Sequence, residues 1–274
     1  MSMEEQDPLT PLIDEYLIER DSSPNRLAEY VVPMIARGRP GGRLSPSSIG
    51  GCRRQAAFKF LGVDGTRKLD PESELIFDDG NWIHHKWQAR FRDMEAVLGA
   101  KRFKVLGIEK GITIPELYIA GSYDALIKIN GKRYMIDFKS INSHGFGYVY
   151  REHKPKDAHI KQLITYCVAK NCKRGMLVYD CKDTPEHVVF LIEVRDADWR
   201  KVQRWCRKTL DEIEALKLPK MVSDCNHGTF LYERCPYSKY CWGSEYSEER
   251  LRRLAFRNFK GMDEAWSRGL ALTN

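Results

Sequence analysis

Between Ser122 and Ser140 the sequence reads SYDALIKI, then Asn130-Gly131, then KRYMIDFKS, and no other stretch constrains the fold as tightly. Asn-Gly between two alternating runs is the strongest short-range signal for a β-hairpin, because a type I′ turn needs positive φ at both central positions. With Asn130 and Gly131 as the turn, Ile129 faces Lys132, Ile127 faces Tyr134 and Ala125 faces Ile136. The next pair outward sets Asp124 opposite Asp137. Strand alternation then places Ala125, Ile127, Tyr134, Ile136 and Phe138 on an apolar face against a core, and Lys139 on the same face as Asp137.

Residues paired directly across a hairpin have Cβ atoms about 4.5 to 5.5 Å apart, and like charges at that distance destabilise the sheet. A hard divalent cation between the two carboxylates would remove the repulsion and polarise a phosphodiester. Lys139 would then orient the attacking water or meet the charge building on the phosphate. Without an ion the trio is a hydrated surface cluster, and a one-residue bulge would turn one aspartate away.

Periodicity supplies the surrounding elements. Leu9, Leu12, Ile13, Tyr16 and Leu17 fall at helical spacing, so an amphipathic helix opens the chain. The stretch RGRPGGRLSPSS reads as a loop, with Ser47 or Ser48 capping a helix that carries Cys52, Arg53 and Arg54 and ends near Phe58 and Leu61. A helix is expected from about Asp79 to Leu98, with Gly80, His84, Trp87, Gln88 and Phe91 on one face. From Lys104 to Phe138 short β-rich runs broken at Lys110-Gly111 and Asn130-Gly131 predict an antiparallel meander. Ile160, Leu163, Ile164, Cys167 and Val168 mark a helix over about 157–170, and MLVYD and HVVFLIEV two more strands. A long helix from about Asp196 to Lys217 ends before Pro219, and the last 30 residues read as a solvated helix and tail.

Hydrophobic residues at 42% and charged residues at 30% describe a chain that can bury a core and exclude a disordered one. The formal charge of +7 favours polyanionic partners. The start, MSMEEQDPLTPLIDEYLIER, is acidic where a signal peptide is basic, and no apolar run approaches the ~20 residues of a membrane span, so a cytoplasmic location is expected. In that compartment grouped cysteines are read as metal ligands rather than disulfides. Cys167, Cys172, Cys181 and Cys206 lack ligand spacing and read as small buried hydrophobes. Cys225, Cys235 and Cys241 near the end, with Cys52 far upstream, suit one soft metal centre.

Taken together, GSYD and IDFKS resemble the PD-(D/E)XK nuclease superfamily, and GNWIH (Gly80 to His84) with Gln162-Leu-Ile-Thr-Tyr166 resembles its RecB-like branch. The resemblance implies Asp124 as first acid, Asp137 as second acid and Lys139 as the motif lysine. It further implies His84 as a ligand of Mg²⁺ or Mn²⁺ beside Asp124 and Asp137, and Gln162 and Tyr166 as supports of the catalytic centre. Arg53, Arg54 and Gln88 are read as DNA contacts. The four grouped cysteines resemble those of the iron–sulfur nucleases of that branch, which include the CRISPR-adaptation nuclease and phage exonucleases. This implies a [4Fe–4S] cluster on Cys52, Cys225, Cys235 and Cys241, a structural Zn²⁺ being the alternative. Many members place two residues between the second and third cysteines; here nine separate Cys225 from Cys235, and His227 is a conceivable replacement ligand.

The fold implied is α/β, a restriction-endonuclease-like mixed central sheet flanked by helices, with a cysteine-ligated lobe joining the two ends of the domain. The expected organisation is an N-terminal helix and linker over 1–44, the nuclease domain over 45–243, and a C-terminal helix and tail over 244–274. The expected activity is metal-dependent hydrolysis of DNA, exonucleolytic on single strands or duplex ends, in recombination, repair or phage DNA metabolism. A non-cleaving DNA-binding or scaffold subunit that keeps the cluster is the competing class.

Overall fold

The structure, a computed structural model, describes residues 7–19, 41–66, 71–226 and 229–271. Residues 37–40 of the expected loop, His227 and the last three residues lie outside them. The chain divides into two compact units, each assembled from separate segments.

The first unit draws on Met1–Met34, Pro71–Ile112 and Ser122–Trp199. Helix α1 (Thr10–Glu19) starts where the Asp7 carboxylate accepts the backbone N–H groups of Leu9 and Thr10. It buries Leu12, Ile13 and Tyr16, and the Tyr16 hydroxyl donates to buried Asp93 at 2.8 Å. Helix α3 (Pro71–Leu98) starts eight residues before the expected Asp79 and follows α2 (Arg53–Phe60) of the second unit. The sheet runs β1 (Phe103–Ile114), β2 (Ile119–Ile129), β3 (Lys132–Ile141), β4 (Arg174–Cys181) and β5 (His187–Glu193), in that spatial order. Strands β2 and β3 pair antiparallel, β3 and β4 parallel, β4 and β5 antiparallel, so the sheet is mixed.

From Ala125 to Lys132 the hairpin register is the one the turn chemistry predicts, but the ladder stops short of the expected Asp124–Asp137 pair. Ala125 pairs with Ile136, Ile127 with Tyr134 and Ile129 with Lys132, around Asn130 and Gly131 at φ 47° and 85°. Ala125, Ile127, Ile129, Tyr134, Ile136 and Phe138 enter one core with Trp87, Phe91 and Phe103, and with Leu9, Leu12, Ile13 and Tyr16 of α1. A parallel β3–β4 pair requires a crossover, which is made by α4 (Ser143–Arg151) and α5 (Asp157–Ala169). Helix α4 was not expected: Gly145 and Gly147 weaken its propensity, and its signal is the Asn142 side chain, which accepts the Gly145 N–H at 2.9 Å. Helix α5 sits so close to β4 that a Cβ on Gly175 would lie 2.8 Å from the Leu163 side chain.

The expected break at Lys110-Gly111 is not a break. β1 continues through it, with Glu109 at φ 49° and the alternation of buried and exposed residues lost there, so the strand bends instead of ending. It stops at Pro115–Leu117, a 3₁₀ turn followed by Tyr118 at φ 50°.

The second unit draws on Ile35–Asp70, Thr113–Gly121 and Arg200–Asn274. Ser47 and Ser48 do not cap a helix; Pro46–Ser48 forms its own 3₁₀ turn, and α2 (Arg53–Phe60) begins after Cys52. Helix α6 (Asp196–Glu214) ends three residues short of the expected Lys217. The short helices α7 (Phe230–Glu233) and α8 (Ser238–Trp242) follow. The C-terminal stretch is packed, not simply solvated: α9 (Glu248–Phe256) buries Leu251 and Ala255, and α10 (Met262–Ala271) follows with Ala265 buried. Phe58, Tyr237 and Ala255 form a small core, with half-buried Cys235 and Cys241 against it. No helix among the described residues is long and apolar enough to cross a membrane.

Candidate active site and metal centre

The groups with chemistry in the first unit come from five elements. β2 contributes Asp124, β3 Asp137 and Lys139, α3 His84 and Gln88, β1 Glu109, and α5 Gln162 and Tyr166. His84, Glu109 and Asp124 each offer one ligand atom, all within 4.8 Å of one another. The Asp124 carboxylate reaches across the hairpin and accepts the Phe138 N–H at 2.7 Å, with the same oxygen 3.4 Å from His84 Nδ1. Glu109 accepts from Gln88 Nε2 at 2.7 Å and from Ser122 Oγ at 3.4 Å.

Asp137 is outside that trio and almost completely buried. Lys139 Nζ lies 2.7 Å from its Oδ2 as an ion pair, while its buried Oδ1 has no hydrogen-bond partner among the described residues. Nζ also donates to Gln162 Oε1 at 2.9 Å, and Gln162 Nε2 donates to the Tyr166 hydroxyl at 3.0 Å. The order Asp137, Lys139, Gln162, Tyr166 thus forms one chain of polar contacts. The interval of four between Gln162 and Tyr166 stacks them on one side of α5.

Electrostatics divide the carboxylates. Burial pushes Asp137 up to about 7, the Asp124 charge adding to it and Lys139 opposing. Glu109 is raised by burial and then by Asp124. For Asp124 burial also acts upward, but His84, Lys139 and the Phe138 N–H bring it below its ordinary value. Burial favours neutral His84, and the Asp124 and Asp137 charges overcome that and raise it. Tyr166 is held well above its usual range by burial and the two aspartates. Three carboxyl groups crowded in a poorly solvated place are costly to ionise without a compensating cation. The donor set is oxygen plus one imidazole, and buried Asp137 Oδ1 is short of a partner, so the residues fit a hard divalent ion.

A sequence model of the PD-(D/E)XK nuclease superfamily matches residues 55–242, more than half of the chain. The chain belongs to the PD-(D/E)XK nuclease superfamily. In three dimensions it is similar to an alkaline exonuclease (LHK-Exo) from Laribacter hongkongensis, at 16% identity and a TM-score of 0.39, over 70% of this chain and 93% of that one. The complex of LHK-Exo with dAMP gives the same values. SSO0001 is similar at 17% identity and a TM-score of 0.45, over 86% of this chain and 97% of that one. Superpositions this loose add nothing to what the family match and the geometry show. Among curated proteins nothing matches.

Within this PD-(D/E)XK chain Glu109, which the sequence offers only as an aid to the metal from the strand next to the hairpin, stands beside His84 and Asp124. The signal was present in another guise: the Lys110-Gly111 step read as a strand break is the bend that follows Glu109. Gln88, expected at the DNA, is hydrogen-bonded to Glu109. Arg53 and Arg54 are engaged in the second unit, Arg53 with Glu212 and buried Arg54 with Glu248. A phosphate contact from either arginine would share the guanidinium with a carboxylate.

The four grouped cysteines all fall in the second unit. Burial pushes Cys241 up to about 12, Arg54 opposing and the charges of Cys235, Cys52 and Cys225 adding to it. Cys235 is raised by burial and likewise feels Cys52 and Cys225. The four are therefore electrostatic neighbours, although among the described residues no three thiols close to within 4.8 Å. Cys167, Cys172, Cys181 and Cys206 are all buried.

Proposed function

We propose that this chain is a divalent-metal-dependent deoxyribonuclease, an exonuclease acting on single strands or duplex ends. The observation that carries the reading is the His84, Glu109 and Asp124 trio, beside a buried Asp137–Lys139 pair whose second carboxylate oxygen, Oδ1, has no partner among the described residues. His84, Glu109, Asp124 and Asp137 hold the ion, Mg²⁺ or Mn²⁺. When bound, the ion polarises the phosphodiester and lowers the pKa of water for in-line attack.

The protein's own groups do the rest. Lys139, held between Asp137 and Gln162, meets the negative charge that builds on the phosphate oxygens. Gln162 fixes the amine, and Tyr166, kept neutral by its surroundings, fixes Gln162. The net charge of +7 suits a polyanionic substrate. With end-labelled DNA and Mg²⁺ or Mn²⁺, the wild type is expected to degrade the strand while Asp137→Ala and Lys139→Ala do not. Equal degradation by all three refutes the assignment.

We extend the proposal to a [4Fe–4S] cluster on Cys52, Cys225, Cys235 and Cys241. The mutual electrostatic influence of the thiols supports a shared cationic centre. A tetrahedral zinc on the same four thiolates is the alternative. Protein purified without oxygen should be brown and carry iron; a colourless preparation rich in zinc overturns the cluster.

A further inference from the structure

Helix α5 carries more than Gln162 and Tyr166 on its site-facing stripe. His159 lies three residues before Gln162 and seven before Tyr166, a spacing that keeps all three on one side. Its ring sits against Tyr179, with centroids 5.6 Å apart. Tyr179 in turn is the β4 residue paired with Lys139 in the parallel register, and the Lys139 charge is felt at the His159 ring.

The hydrogen bonds assign the proton on this imidazole. Tyr179 is fully buried, and its hydroxyl accepts the Lys156 N–H at 3.1 Å while lying 2.8 Å from His159 Nδ1. A buried hydroxyl needs an acceptor for its single proton, and among the described residues Nδ1 is the acceptor beside it. Tyr179 therefore donates to Nδ1, which leaves the ring's hydrogen on Nε2. No described residue takes that donor. Burial, then the Lys139 and Lys156 charges, push His159 down to about 3, so the ring stays neutral and serves as a fixed donor, not a proton shuttle.

We propose that His159 is a substrate-contacting residue whose Nε2–H donates to a non-bridging phosphate oxygen of the bound DNA strand on the Lys139 side of the site. The inference rests on the nuclease reading and deepens it by adding a neutral phosphate contact beside a cationic one. Binding a phosphate with an uncharged donor fixes the register of the strand without releasing a further counterion.

The test uses the full-length protein and end-labelled DNA carrying a single methylphosphonate linkage, uncharged and one acceptor oxygen poorer, moved along the strand. On ordinary DNA, His159→Phe is expected to lose about 10- to 100-fold in kcat/KM, the usual effect of removing a hydrogen bond to a charged group. The slope of log(kcat/KM) against log salt stays as in the wild type, because no cation was removed. One methylphosphonate position should slow the wild type strongly and His159→Phe hardly at all, while His159→Gln, which keeps an N–H donor, recovers part of the rate. Unchanged kcat/KM in His159→Phe, or the same sensitivity as wild type at every linkage, overturns the contact while leaving the nuclease reading intact. A wild type that cuts no DNA with any divalent ion overturns both. If His159→Phe melts early, Tyr179→Phe is read instead, since it keeps the ring and releases its tautomer. The same position-specific pattern at reduced size is expected there, and a uniform one refutes the contact.

Discussion

Metal binding to this protein should weaken sharply as the solution becomes acidic, and the size of the effect follows from Asp137. Its carboxyl is pushed up to about 7 by burial, so the metal-free site holds a proton there below that pH. About one tenth of the group is ionised at pH 6 and about nine tenths at pH 8. An ion that takes the carboxylate must displace this proton, so affinity falls about tenfold, or about 1.4 kcal/mol, between pH 8 and pH 6 from Asp137 alone. His84 is also raised and must be unprotonated to ligate, and Glu109 is raised, so both deepen the loss in the same direction. Isothermal titration of Mn²⁺ into the protein at pH 6, 7 and 8, in two buffers of different ionisation enthalpy, measures affinity and protons released together. At least one proton should leave per ion at pH 6, and fewer at pH 8. Asp137→Asn should flatten the dependence as well as weaken binding. Affinities equal at pH 6 and pH 8, with heats independent of the buffer, would refute the assignment of Asp137 as a buried metal-binding carboxyl.

Glu109→Gln should weaken Mn²⁺ binding at least tenfold with little change in melting temperature, because the amide keeps a hydrogen-bonding oxygen but loses the charge; unchanged affinity removes Glu109 from the metal set. Gln162→Leu leaves Lys139 without its second partner, and a fall of about tenfold in kcat at nearly constant KM is expected in the labelled-DNA assay. Trp87→Ala opens the core beneath the hairpin, where the indole stacks on Phe138 at 6.0 Å and its N–H donates to Asp180. Urea unfolding should show a loss of about 3 to 5 kcal/mol, and a change below 1 kcal/mol would contradict the packing described.

The parts readable in one dimension are those set by short-range geometry. The Asn130-Gly131 turn needs positive φ at two neighbouring residues, which few dipeptides allow, and the register from Ala125–Ile136 to Ile129–Lys132 then follows by counting. The apolar face of the hairpin and the α5 stripe follow from side-chain period, and the β4 and β5 strands from short apolar runs rich in β-formers. The motifs that resemble the nuclease superfamily were equally local, and the family match bears out the superfamily they imply.

What only the fold decided depends on residues far apart in the chain. Arg54 meets Glu248 across 194 residues, and Lys86 meets Asp180 across 94; no local pattern encodes such partners. The bend after Glu109 has the same Lys-Gly signature as a strand end, and only its neighbours on β2 and α3 make it a turn of direction that delivers a carboxylate to His84 and Asp124. The protonation of Asp137 and the tautomer of His159 are set by burial and by partners on other strands and helices. Sequence names the chemical groups because covalent structure and short-range φ preferences are written in it. Tertiary structure sets their charge and aim, because desolvation and Coulomb interactions act through space and do not follow the order of the chain.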